Sequence, residues 1–269
     1  MPIITISRGS YSRGKEVAEK VAERLGYQCI AREVILEASK EYNIPDFRLM
    51  KAVHDAPSIF ERFSYGKEKF ICYFQTALLK RLRSDNVVYH GLAGHFYVKD
   101  IPNVLKVRII SDMEDRIKLL MERENISYQS AHSRIKKDDG ARSRWSQHLY
   151  GIDTADPVLY DLVVAVNRLS VDNVVDVICH TAGLKTFATT PEARQAMEDL
   201  ALSAEVKTAL LEVKPDIEVC ARSGVVSIGV GAQLMKEPGR MAEIQKIAAG
   251  VSGVKEVKVN SSHMLGLTD

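Results

Sequence analysis

The chain has no C-x-x-C pair. Its four cysteines, Cys29, Cys72, Cys179 and Cys220, are scattered, which excludes a zinc ribbon and argues for reduced thiols rather than a disulfide frame. No apolar run approaches the ~20 residues of a membrane-spanning helix. Pro2-Ile3-Ile4-Thr5-Ile6 is too short for the core of a signal peptide. Excess charge of one sign is also missing. With 37 Lys+Arg against 35 Asp+Glu the formal net charge is +2, so bulk electrostatics points neither to nucleic acid nor to a membrane surface. Beyond Trp145 there is no aromatic–basic interleaving of the kind that binds single strands. Internal repeats and low-complexity tracts are absent. These absences lead us to expect a soluble, cytoplasmic protein that binds no nucleic acid. Its 269 residues, 46% hydrophobic and 27% charged, suffice for one large α/β domain or a medium one followed by a small one.

Apolar periodicity supplies the elements. Residues 2–7 read as a buried strand running into a glycine loop. Behind the loop, Val17, Ala18, Val21, Ala22 and Leu25 share one helical face, Glu16, Glu19, Lys20 and Glu23 fill the other, and Gly26 stands where a C′ glycine stops a helix. Further strands are expected at 28–31, 86–90, 104–110 and 161–166. Helices are expected at 33–41, 58–83 (one or two), 113–124, 128–137 and 171–182. Residues 138–145, DDGARSRW, read as a basic, flexible stretch. Strands alternating with helices imply a parallel sheet covered on both faces.

After Gly183 the pattern changes. TFATTP reads as a linker, with Pro191 opening a helix that extends to about Val213. Residues 217–230 alternate about a Ser223-Gly224 turn, a helix covers 239–249, and 254–259 is a last strand. The expected domains are 1–185, a linker at 186–191, and a small α-β-β-α-β domain at 192–269.

The glycine loop carries the chemistry. Gly9, Gly14 and Lys15 fit G-x-x-x-x-G-K, with Glu16 where Ser or Thr ordinarily holds magnesium. Between a strand and an amphipathic helix, Gly9, Ser10, Tyr11, Ser12, Arg13 and Gly14 present backbone amides to a phosphate, and Lys15 adds charge. The competing interpretation is a tight strand-to-helix turn with a merely solvated lysine. Arg8 and Arg13 can offset Glu16, which is the candidate metal carboxylate, directly or through water. Arg134, Lys136, Lys137, Arg142 and Arg144 flank Gly140, a pattern that suits closure over bound phosphates or, more plainly, a solvated face. His90 and His95 in HGLAGH are five residues apart across a glycine turn with no cysteine near, a weak metal pattern.

ISRGSYSRGKEVAEKVAERLGYQCIAREVI resembles the opening of the cytidylate kinase-like branch of the P-loop nucleoside monophosphate kinases. The resemblance continues through NVVYHGLAGHFYVKDIPNVLKVRIISDMEDRIKLL and DPVLYDLVVAVNRLSVDNVVDVI, about residues 1 to 182. It implies a three-layer α/β/α fold with a five-stranded parallel sheet, ATP and magnesium at the loop, a nucleoside monophosphate acceptor, CMP-like, opposite it, and a mobile arginine-rich lid. Lys15, Arg134, Arg142 and Arg144 are then the catalytic candidates, with Asp138 or Asp139 and Arg142 resembling the lid's D-x-x-R. Arg32, His90 and Gly91 are the acceptor candidates. Ala31 stands where the family usually has aspartate, and Leu92 where a glycine-flanked arginine is expected. These departures keep a second reading open, a nucleotide-binding regulator with weak or lost transfer. Residues 192–269 resemble a BON domain, which implies a small-molecule or lipid ligand, or a packing module that forms a homodimer.

Overall fold

The structure is a computed structural model, and the residues it describes are 2–31, 33–43, 45, 67–91, 93–213 and 217–261. The chain divides into two compact units, one of Met1–Ser64 with Ser84–Thr190 and another of Tyr65–Arg83 with Pro191–Asp269. Among the described residues no helix is long and apolar enough to cross a membrane.

The first unit opens with β1 (Ile3–Arg8), α1 (Gly14–Leu25), β2 (Gln28–Ile30) and α2 (Glu33–Glu41). Helix α3 (Lys67–Leu82) follows in the chain but groups with the second unit. The first unit resumes with β3 (Val87–Tyr89), a single turn α4 (Gly94–Tyr97), β4 (Val104–Ile110), α5 (Met113–Glu124), α6 (Tyr128–Tyr150), β5 (Leu162–Ala165) and α7 (Val171–Ala182). All five strands are parallel, in the order β2-β3-β1-β4-β5. The expected parallel α/β sheet is therefore present. Strand alternation sends Ile4 and Ile6 to the face shared with Val17, Val21, Val174 and Ile178 of α1 and α7. Thr5 and Ser7 go to the other face, also buried. Gly26, with φ 67°, ends α1 and donates to the Ala22 and Glu23 carbonyls, as its place in the sequence implied.

One local expectation is overturned. Residues 138–145 are not a flexible stretch between helices; they lie inside α6, a continuous helix of 23 residues. A mid-helix glycine costs about 1 kcal/mol relative to alanine. Tertiary anchors on either side of Gly140 outweigh that cost. Ala131 and Ile135 pack with Ile117 and Leu120 of α5, and Trp145 and Ser146 are buried.

The second unit contains α8 (Pro191–Ala209), β6 (Glu218–Arg222), β7 (Val225–Val230), α9 (Pro238–Ala249) and β8 (Glu256–Ser261). Its sheet runs β6-β7-β8, an antiparallel hairpin followed by a parallel pair. Ser223 (φ 50°) and Gly224 (φ 88°) supply the positive φ angles of a tight hairpin turn. Leu202, Val206, Ile217, Val226, Ile228 and Ile244 form its core.

The grouping of α3 with this unit is a departure from a first domain spanning 1–185. Helix α3 packs along α8: Thr76 Oγ1 donates to the Ala204 carbonyl at 3.1 Å, and the Thr76 and Thr208 hydroxyls are 2.8 Å apart. Lys69 meets Glu212 at 2.6 Å, and Arg83 meets Glu198 and Glu205. The ion pairs are partly exposed and add little. Leu79, fully buried on the same face of α3 as Thr76 and Arg83, contributes more, a fully buried leucine being worth about 1.5–3 kcal/mol.

Candidate functional site

The loop from Gly9 to Arg13 lies at the carboxyl end of β1, the central strand, with its neighbours β3 and β4 on either side. In a parallel α/β sheet the crevice beyond the strand ends, at the point where strand order reverses, is where ligands bind. Gly9 N–H donates to the Ile109 carbonyl at 3.3 Å. Ser12, fully buried, donates from Oγ to the Gly9 carbonyl at 2.9 Å. Ser12 therefore holds the loop closed from within rather than facing a ligand with its hydroxyl.

The left-handed positions of the loop fall on Tyr11 (φ 58°) and Arg13 (φ 59°), not on its glycines. Gly14 is required for a different reason. A Cβ there would lie 2.7 Å from both Cβ and Cδ of Arg8, so the start of α1 sits directly on the Arg8 side chain. Burial, with Arg142 nearby, lowers the Arg8 guanidinium to about 10. Lys15 and Glu16 lie in the first turn of α1. Lys15 is 63% exposed and pairs only loosely with Glu19, 3.5 Å away, so its ammonium is accessible to a ligand. Glu16 pairs with Arg13 at 3.4 Å, and among the described residues no cluster of three metal-ligating side chains exists. One exposed carboxylate fits a magnesium ion that arrives with phosphate and water ligands of its own.

Helix α6 closes one side of the loop. Asp139 Oδ1 accepts from Ser10 N–H at 3.1 Å, and Asp139 Oδ2 accepts from Arg116 Nη2. Arg116 Nε donates in turn to the Ser10 carbonyl at 2.7 Å. The Tyr11 hydroxyl donates to Asp138 Oδ2 at 3.2 Å, and Arg142 Nη1 donates to the Arg8 carbonyl at 3.1 Å. Of the three lid arginines expected in the site, Arg142 thus reaches the strand end that carries the loop. Arg134 is turned to Glu124, and the exposed Arg144 lies beside Gly140 on its own helix.

The two histidines of HGLAGH part company. His90 donates its backbone N–H to the Ile30 carbonyl at 3.0 Å, and its buried Nδ1 has no partner among the described atoms. Burial, with Arg8 nearby, lowers its imidazole to about 4. His95 lies on the far face of the sheet, where Nε2 is 3.2 Å from the Tyr160 hydroxyl, and burial lowers its imidazole to about 3. Tyr160 also reaches the Thr154 carbonyl at 2.9 Å and Ser7 Oγ at 3.1 Å, with Arg108 Nη1 at 3.3 Å. The carbonyl can only accept, so it takes the phenolic proton and leaves His95 Nε2 to donate. Sequence reasoning did not select Ser7, Arg108 or Tyr160. The signal that could have found them was two polar residues, Ser7 and Arg108, in register near the ends of apolar strands. Arg32 and Leu92 lie outside the described residues.

A parallel sheet in this order, with a glycine-containing loop between its central strand and the first helix, defines a P-loop kinase fold. A crystal structure of an uncharacterized protein from Eubacterium ventriosum has the same fold, with TM-score 0.54 at 22% identity over 68% of this chain and 98% of that one. The chain belongs to the cytidylate kinase-like family, whose model matches residues 3–168. It is similar to the cytidylate kinase of Ignicoccus hospitalis, 26% identical over 179 residues, 66% of this chain and 97% of that protein. The cytidylate kinase of Methanopyrus kandleri is 25% identical over 177 residues, 65% of this chain and 90% of that one.

Proposed function

We propose that this chain transfers the terminal phosphoryl group of ATP to a nucleoside monophosphate, with CMP as the acceptor. The observation that carries this reading is the loop at the carboxyl end of the central strand, leading into α1 with the exposed Lys15 in its first turn. Loop amides and Lys15 hold the donor phosphates. An oxygen of the acceptor phosphate attacks the γ-phosphorus, the bond to the β–γ bridging oxygen breaks, and ADP leaves. Such transfer needs positioned positive charge more than a general base. Arg142 and Arg8, joined through the Arg8 carbonyl, lie beside the loop, while Arg134 and Arg144 require a movement of α6 to contribute. Arg32 is assigned to the acceptor phosphate by the family resemblance, and His90 with Gly91 to the acceptor side. Magnesium bound with ATP would neutralise phosphate charge, and Glu16 is the loop carboxylate that would help hold it. The second unit is read as a BON-like module that takes a small-molecule or lipid ligand or assembles a homodimer.

A nucleotide-binding regulator is the second reading. It is favoured by the carboxylate of Asp139 on the loop amide of Ser10 and by Ala31 and Leu92. A coupled assay with ATP, magnesium and each nucleoside monophosphate separates the two. ADP release fastest with CMP is expected. Measurable ATP binding with no ADP release for any acceptor rejects the kinase and leaves the regulator.

A further inference from the structure

Asp139 stands where the donors of an anion site converge. One oxygen takes the Ser10 N–H at 3.1 Å and the other takes Arg116, whose side chain is 10% exposed. Ser10 is itself 2% exposed, and its Oγ is buried without a partner among the described atoms. A backbone N–H, a hydroxyl and a guanidinium on two neighbouring elements suit a phosphate oxygen as well as a carboxylate. Beside them, Asp138 takes the Tyr11 hydroxyl, and the Tyr11 ring packs on the apolar seam between α5 and α6. Polyphosphate entering this loop meets two carboxylates. Like charges about 4 Å apart repel by about 1 kcal/mol in water and more where water is excluded.

We propose that Asp139 is an internal occupant of the phosphate loop, a carboxylate latch that holds α6 down in the nucleotide-free chain and that the donor nucleotide displaces. This inference rests on the nucleotide reading of the loop. Displacement couples nucleotide entry to a movement of α6, the movement that Arg134 and Arg144 need in order to contribute, and it weakens apparent affinity by the fraction of molecules that are latched. A latch closed about nine-tenths of the time lowers affinity about tenfold.

The test compares the full chain with Asp139→Asn and Asp139→Ala. ATP affinity is measured by calorimetry, and emission from Trp145, the single tryptophan, reports on α6. Asp139→Asn preserves shape, so the test does not depend on the alanine variant folding. The expected result is about tenfold tighter ATP binding in the variants, with a nucleotide-free Trp145 spectrum already shifted toward the ATP-bound spectrum of the native chain. Native-chain ATP binding with equal or weaker binding in both variants overturns the latch and leaves the nucleotide reading intact. Tighter binding with an unshifted nucleotide-free spectrum also overturns it, because removal of charge then accounts for the gain. Absence of ATP binding in all three proteins overturns the latch and the nucleotide reading together.

Discussion

Tyr89 fills the space that a side chain at Gly91 would need. A Cβ on Gly91 would lie 2.1 Å from the Tyr89 phenolic oxygen, and one on Gly94 would lie 2.4 Å from its ring. Gly91 and Gly94 are therefore set by close approach to a fully buried tyrosine rather than by a left-handed φ. Gly91→Ala should destabilise by about 2–3 kcal/mol, since overpacking of a filled site typically costs 1–3 kcal/mol. In a Tyr89→Leu background the same substitution should cost clearly less, as expected for residues in contact. Urea unfolding of the four proteins checks this, and strictly additive losses would reject the contact.

Lys15 should matter to ligand and not to fold. Its pairing with Glu19 is 3.5 Å long and exposed, and such pairs contribute at most about 1 kcal/mol. Lys15→Ala is expected to leave the urea midpoint nearly unchanged while weakening ATP binding at least tenfold. Unchanged ATP affinity in a folded variant would defeat the phosphate-loop reading.

Acid should unfold the chain partly through its buried histidines. His90 and His95 are lowered to about 4 and about 3, first by burial, then by Arg8 for His90 and by Arg108 for His95. The unfolded chain binds these protons near pH 6.5, so it holds more protons than the folded chain below that pH. Their stabilisation is present above about pH 6.5. It falls by up to about 1.4 kcal/mol per pH unit per histidine down to about pH 4 for His90 and pH 3 for His95. His90→Asn and His95→Asn should each flatten the decline between pH 6.5 and 4.5, measured as urea midpoint against pH. A decline as steep as in the native chain would contradict the assigned burial effect.

Ending the chain at Thr190 should cost more than the small second unit. Helix α3 would lose the α8 carbonyl that Thr76 donates to and the helix packed along it. A truncated protein is expected to melt lower and to bind a hydrophobic dye, because Leu79, buried on the Thr76 face of α3, loses its cover. A melting temperature equal to that of the full chain would show that α3 is stable without α8.

The strands, the glycine loop and most helix ends were legible in the residues because they depend on near neighbours. Alternation at Ile4 and Ile6, a left-handed stop at Gly26 and the Ser223-Gly224 turn each act within a few positions along the chain. The loop with Lys15 was legible for the same reason. Other features were decided by segments far apart in sequence. Ser10 and Asp139 are 129 residues apart, and no local pattern says that an acid from α6 will take a loop amide. The same holds for α6 itself, where Gly140 and its flanking charges read as a break but packing against α5 and the loop keeps the helix unbroken. Tyr89 beneath Gly91, Tyr160 between Ser7 and His95, and α3 grouped with the C-terminal unit are of this second kind. Periodicity determines which face of an element is apolar. Only the folded chain decides which other element covers that face, because burial is gained from whatever surface the topology brings against it.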